Sequence, residues 1–149
     1  MRKQTFRVRF DAKPAVVYSA LLDVTLLPLW RVPDGMTMIV HEFHPAAGGR
    51  FRISLSYDDI SESGKTVTNT DTYGGYFRTL IPNKKIVEVI SFETTNSDFM
   101  GEMIITTELC SDGEGTELIA THENLPEAVS AEQNEIGWKM SLGKLAKLI

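Results

Sequence analysis

The chain has 149 residues, with 15 Lys and Arg against 20 Asp and Glu for a formal net charge of -5, and it is 42% hydrophobic and 23% charged. Those values fit one soluble domain with a sizeable core, and they argue against nucleic acid or an anionic membrane surface as partner, because both require a concentrated positive field. A single cysteine, Cys110, excludes an internal disulfide and gives no sign of an oxidising compartment, so a cytoplasmic location is expected.

Phe6, Val8 and Phe10 alternate with Arg7 and Arg9, the period of a strand with one buried face and one in water. No uninterrupted apolar run follows the positive N-terminus, so it does not read as a secretory signal, and no stretch is apolar enough to span a membrane. Pro14 suits the first turn of a helix running to about Asp23, with Val17, Ala20, Leu21 and Val24 at helical spacing. Thr25 is placed to cap a short second helix through Leu29 and Trp30, and Pro33-Asp34-Gly35 ends it.

The pattern then changes to strands: Met36 to Phe43, Arg50 to Tyr57, Val67 to Thr79, Lys85 to Phe92, Gly101 to Leu109 and Thr116 to His122. Between them lie turn-forming stretches at Pro45 to Gly49, Ser63-Gly64, Pro82-Asn83 and Ser111 to Gly115, links short enough to predict an antiparallel meander. Ser130-Ala131-Glu132-Gln133 has the form of a capping box opening a long helix, with Asn134, Trp138, Leu142 (or Ser141), Leu145 and Ile149 on one stripe. A twisted antiparallel sheet has a concave face, and a single long helix is its natural cover. The expected unit is therefore one α+β domain over residues 1–149, with no repeat or linker dividing it.

The order of these elements, and particular residues within them, resembles the helix-grip fold of the START/Bet v 1-like (SRPBCC) superfamily. Within it the sequence is most similar to homologues of the C-terminal domain of the heat-shock-protein-90 ATPase activator. The likeness rests on Pro14 to Leu22 with Trp30 after it, Gly48-Gly49-x-Phe51, Gly75-x-Phe77 leading to Pro82 and Ile86, and Gly115-Thr116-x-Leu118. It continues through Thr121-His122-x-x-Leu125-Pro126 and Gly137-Trp138 ahead of Leu142 and Leu145. His44 and Ala46 stand where a carboxylate and an arginine are common in the family. The resemblance implies a cavity between sheet and long helix, often occupied by a small apolar molecule, and it carries over no shared catalytic motif.

If the apolar parity of each strand faces the helix, the cavity wall comprises Phe51, Ile53, Leu55 and Tyr57, then Tyr73 and Phe77, then Ile86, Ile90 and Phe92. Ile105, Leu109, Leu118 and Ala120 complete the sheet side, Leu142 the helix side, and Trp30 and Trp138 close the ends. The alternative is that these side chains simply fill the interior. Gly74-Gly75 marks a bulge or a close approach to the backbone. Two ionisable groups share the wall's parity: Glu88, which either enters the pocket, turns to water or pairs with Arg78, and His122, as a satisfied core histidine or a base.

His41 and His44 could suggest a metal, but residues three apart on a strand face opposite ways, and no metal or other cofactor is expected. Cys110 reads as an inert thiol. Met36, Met38, Met100, Met103 and Met140 could line a pliable pocket or fill gaps in the core. The expected function is binding of a small hydrophobic or aromatic ligand, lipid-, polyketide- or flavonoid-like. The alternative is an enzyme of the polyketide cyclase or dehydratase type found among relatives of the fold, with Glu88 or His122 as general acid or base. A co-chaperone role is implied by the family's name alone and is expected least, since no part of the chain corresponds to the activators' separate N-terminal domain. A homodimer through a sheet edge or the terminal helix is compatible with the sequence.

Overall fold

The alternating strand segments pair into one seven-stranded antiparallel sheet whose order, β1-β7-β6-β5-β4-β3-β2, brings the first strand beside the last. The computed structural model describes residues 2–58 and 69–149, and the expected turn at Ser63-Gly64 lies outside them, as do Val67 and Thr68. The strands are β1 (Lys3–Phe10), β2 (Met36–Phe43), β3 (Arg50–Tyr57), β4 (Thr70–Ile81), β5 (Lys85–Phe92), β6 (Met103–Asp112) and β7 (Gly115–Glu123). The helices are α1 (Pro14–Leu21), α2 (Leu27–Trp30) and α3 (Ala131–Leu148), and Ser97–Phe99 forms one turn of 3-10 helix.

Because β1 and β2 lie at opposite edges, the chain between them must cross the sheet, and α1 and α2 make that crossing. They close one end of the concave face while α3 runs along it, the helix-grip arrangement expected from the sequence. α3 is held at both ends. Arg2 donates to the carbonyls of Pro126 and Val129, and Gln4 Nε2 donates to Ala131 O at 2.9 Å. Near the other end Lys144 Nζ donates to Val32 O, in the segment after α2, and lies 3.3 Å from Asp34.

Several boundaries differ from the sequence reading for local reasons. α1 ends at Leu21, and Asp23, not Thr25, organises the turn into α2: its Oδ1 accepts from Thr25 N at 2.9 Å and Oγ1 at 2.6 Å. The residue capping α2 is Leu26, with no side-chain bond. Ser130 Oγ accepts from Gln133 N at 3.2 Å, but the Gln133 side chain lines a cavity, so the capping box is used on one side. Ile149 is 37% exposed at the chain end and drops out of the α3 stripe, whose buried members are Ser141, Leu142 and Leu145. Met38 and Met103 are buried, whereas Met100 and Met140 are exposed.

Two glycine motifs are explained by the sheet's curvature. A Cβ on Gly75 would lie 1.8 Å from Val89 O and 3.1 Å from the Phe51 ring, so the close approach inferred at Gly74-Gly75 is made by the protein's own backbone. The turn at Gly48-Gly49 clasps the same corner, with Gly48 N donating to Phe77 O at 2.7 Å and Phe77 N to Gly49 O at 2.9 Å. Phe77 then stacks obliquely on Phe51 with 5.2 Å between centroids and edge-on to Phe43 at 5.7 Å. A bulge follows immediately, between Phe77 and Thr79, and Arg78 lies on the outer surface. On that outer face Arg7 pairs with Glu117 at 2.9 Å and Arg9 with Asp112 at 3.1 Å, the solvated role expected for the N-terminal arginines.

Gly75→Ala should therefore destabilise the fold by about 3 kcal/mol or more, since the added methyl meets backbone and cannot be relieved by a rotamer change. Chemical denaturation against a Gly137→Ala control, whose Cβ would meet nothing within 4 Å, checks this.

Candidate ligand site

The concave face and α3 do not meet along their whole length. Between them lies a cavity of about 470 Å³, bounded by Leu55, Tyr73, Ile90, Phe92, Met103 and Ile105 from the sheet, by Pro33, and by Ala128, Val129 and the α3 face carrying Gln133, Asn134, Gly137, Trp138 and Ser141. Its size is within the range of small-molecule sites, about 300–1,000 Å³, and its wall is mainly apolar. Asp71 and Arg31 are the lining residues with charged side-chain types among the described residues. Deeper in, toward α1 and α2, is a second, smaller void of about 20 Å³, with Trp30, Phe77, Ile86, Glu88, Leu118, Ala120, His122 and Leu142 in its wall. Arg31, Ile105 and Trp138 line both spaces.

The wall residues expected from the sequence thus sort into three groups. Leu55, Tyr73, Ile90, Phe92, Ile105 and Trp138 face the larger cavity; Trp30, Phe77, Ile86, Glu88, Leu118, Ala120, His122 and Leu142 face the void. Phe51, Ile53 and Leu109 line neither and are buried in the core, while Tyr57, at the outer end of β3, also lines neither. Within this group Phe51 packs against other rings of the bent corner, Phe77 at 5.2 Å and Tyr73 at 6.5 Å.

Glu88 faces inward between Phe77 and Ile105 and is 5% exposed. Its partner is Arg31, with Nη1 at 2.8 Å from Oε1, rather than Arg78, which follows the inward Phe77 and is exposed on the outer face. Arg31 was not singled out by the sequence reading. The available signal was its position, a lone charge between Trp30 and Val32-Pro33 at the end of a short apolar helix. Its guanidinium lies 5.0 Å from the Trp138 ring centroid and 5.8 Å from that of Tyr73, so two aromatic faces and one carboxylate surround it. Burial alone would lower the Arg31 pKa, but attraction to Glu88 and the Tyr73 hydroxyl more than offset it, and the group stays charged. Burial raises the Tyr73 phenol, with Arg31 opposing.

His122 is fully buried on β7, with Phe6 and Trp138 meeting its ring edge-on at 5.1 and 5.3 Å. Its protonation follows from a chain of amides. Gln4 Nε2 is committed to Ala131 O, so Gln4 presents Oε1 to Asn134, and Asn134 must answer with its NH2 group, Nδ2, at 2.6 Å. The same Nδ2 lies 2.8 Å from His122 Nδ1. Nδ1 is therefore the acceptor and Nε2 carries the proton. Burial, with Arg31 adding to it, pulls the His122 pKa down to about 4, so the ring is neutral near pH 7. With one nitrogen accepting and the other protonated, the imidazole has no free lone pair with which to act as a base.

On β2, His41 Nε2 bonds Ser54 Oγ at 2.7 Å on the outer face, and His44 Nε2 lies 3.3 Å from Glu42. Cys110 is exposed. No described helix is long and apolar enough to cross a membrane.

A helix-grip sheet with its cavity under the terminal helix is the frame against which the chain can be compared. The model of the family described as Activator of Hsp90 ATPase homolog 1-like protein matches residues 11–149. The chain belongs to that family. No curated protein matches it. Among solved structures, protein CV1439 from Chromobacterium violaceum is similar with a TM-score of 0.88 at 26% identity, over 99% of this chain and 96% of that one. A Rhodobacter sphaeroides protein superposes with a TM-score of 0.80 at 23% identity, covering 98% and 91% of the two chains. The AHSA1 protein from Silicibacter pomeroyi does so at 0.79 and 17%, covering 99% and 96%, and these last two likenesses speak for the fold alone. In this member of the Activator of Hsp90 ATPase homolog 1-like family, the glycines and phenylalanines that carried the resemblance build the bent corner, while Trp30, His122 and Trp138 gather around the inner void.

Two outcomes test this description. Glu88→Gln leaves a buried guanidinium without its counter-charge and should cost about 3–5 kcal/mol in denaturant unfolding, whereas the joint Arg31→Met, Glu88→Leu change should cost far less. The His122 ring titrates near 6.5 when unfolded and about 4 when folded, so the unfolded chain binds more protons between those values. Stability is then complete above pH 6.5 and falls as pH drops toward 4, by about 3 kcal/mol in all, a slope that His122→Phe should flatten.

Proposed function

We propose that this protein binds a small hydrophobic or aromatic molecule, lipid-, polyketide- or flavonoid-like, in the cavity between the sheet and α3. The observation that carries the reading is the cavity itself: about 470 Å³ of mainly apolar wall, with the Arg31 guanidinium at its inner end and aromatic rings from Tyr73, Phe92 and Trp138 around it. Burial of the ligand's apolar surface would supply most of the affinity, at roughly 25 cal/mol per Å² before the costs of association are met. Binding is favoured over proton-transfer catalysis because the two groups placed to move a proton are both committed: Glu88 to Arg31 and His122 Nδ1 to Asn134. A co-chaperone role has only the family's description behind it.

Gly137 supplies the sharpest test. It lines the cavity from α3, yet a Cβ there would meet nothing within 4 Å, so a larger side chain grows into the space the ligand would use. Replacing a mid-helix glycine also removes a penalty of about 1 kcal/mol. Gly137→Leu is therefore expected to keep or raise the melting temperature while lowering ligand affinity at least about tenfold. The ligand is first found by amide-resolved NMR titration against flavonoid-like aromatics, polyketides and fatty acids, with shifts expected on the inner positions of β4 to β6 and around Trp138. Binding by Gly137→Leu equal to that of the unmodified protein would place the ligand elsewhere.

A further inference from the structure

The inner void has an unusual wall. Among the described residues three buried side-chain nitrogens have no hydrogen-bond partner, Trp30 Nε1, Arg31 Nε and His122 Nε2, and all three residues line this one space. Each is at least nine-tenths buried. Indole and guanidinium nitrogens can only donate, and the Gln4–Asn134 chain makes His122 Nε2 a donor as well. Three N–H groups thus border a space of about 20 Å³, which admits one water-sized atom. Buried donors left unmet are costly, so an acceptor is the group this wall lacks.

The chemistry narrows what that acceptor is. Water is the competing occupant: it would accept from two of the donors and turn its own hydrogens to Glu88, of which Arg31 engages Oε1 alone. An anion has no net positive field to meet, because Arg31 and Glu88 cancel and His122 is neutral. A carbonyl oxygen accepts without donating and carries no charge. The void also adjoins the larger cavity across Arg31, Ile105 and Trp138, so an oxygen seated in it can belong to a molecule whose body occupies that cavity. We infer that the void is the polar terminus of the binding site, where Trp30, Arg31 and His122 together seat one carbonyl oxygen of a neutral, otherwise apolar ligand. This rests on the cavity being a binding site and specifies which molecules it selects.

The matched pair 2-tetralone and tetralin, which differ by a carbonyl in place of a methylene, tests it on the unmodified protein. The ketone is expected to bind about tenfold tighter, since a site with unmet donors rejects the analogue lacking the acceptor. The carbonyl stretch of the bound ketone should move to lower frequency than in an apolar solvent. Trp30→Phe, which keeps an aromatic ring and removes one donor, should reduce the ratio of ketone to tetralin affinity severalfold; the vibrational measurement needs no variant if that one fails to fold. Equal affinities with an unshifted carbonyl stretch would overturn the inference, the void then holding water, and leave the cavity's binding role standing. Failure of both compounds and of every panel member to bind would overturn the binding role and this inference with it.

Discussion

A charged pair buried beside a large cavity and a small inner void governs the interior of this protein. Arg31 and Glu88 are each less than one-tenth exposed at the side chain, and neither is tolerable there without the other. Their distance fixes where α2 ends relative to β5, because Arg31 is the residue that follows α2 and Glu88 sits mid-strand. Trp138 and Tyr73 then have a cation to pack against, and Trp138 in turn sets how far α3 can approach the sheet. The larger cavity begins where this packed group ends, with Arg31, Tyr73 and Trp138 in its wall.

Curvature is the second constraint, and it is built from absences. Gly75 has no Cβ because Val89 O occupies that place, and Gly49 has none because His44 O does. Phe51 and Phe77 fill the inside of the same bend. The bend makes the sheet concave enough to enclose α3. The bulge at Arg78 belongs to this corner, lies just beyond the Phe77–Glu88 pair and resets the register so that Leu80 stands opposite Ile86.

Much of the fold was legible because local signals agreed with one another. Alternation in β1, β3, β5 and β7, Pro14 at a helix start, Ser130 at a cap and the glycine pairs each named an element that the structure contains. Parity found Glu88 and His122 inside, since a strand's period of two survives any global arrangement. It could not assign partners. Glu88's counter-charge comes from a residue 57 positions earlier, while Arg78, next to Glu88's cross-strand neighbour Phe77, faces outward. Parity likewise could not separate the larger cavity from the inner void, because Arg31 and Trp138, which line both, come from outside the sheet. Asn134 and Gln133 looked like a helix stripe and a cap; only packing shows that both face the cavity.

The amide chain from Ala131 through Gln4 and Asn134 to His122 runs in one direction because every amide in it has an oxygen end and a nitrogen end. The polarity shown to the void is consequently decided at the edge strand, two side chains away. A residue at position 4 that could only donate would turn the Asn134 amide round, place its oxygen against Nδ1, move the ring proton there and present a bare lone pair at Nε2. The same hydrophobic shell could in that way favour a ligand hydroxyl over a carbonyl, with no residue in contact with the ligand replaced. In a fold whose cavity is mostly apolar, such a relay separates the choice of ligand polarity from the packing that gives the cavity its shape.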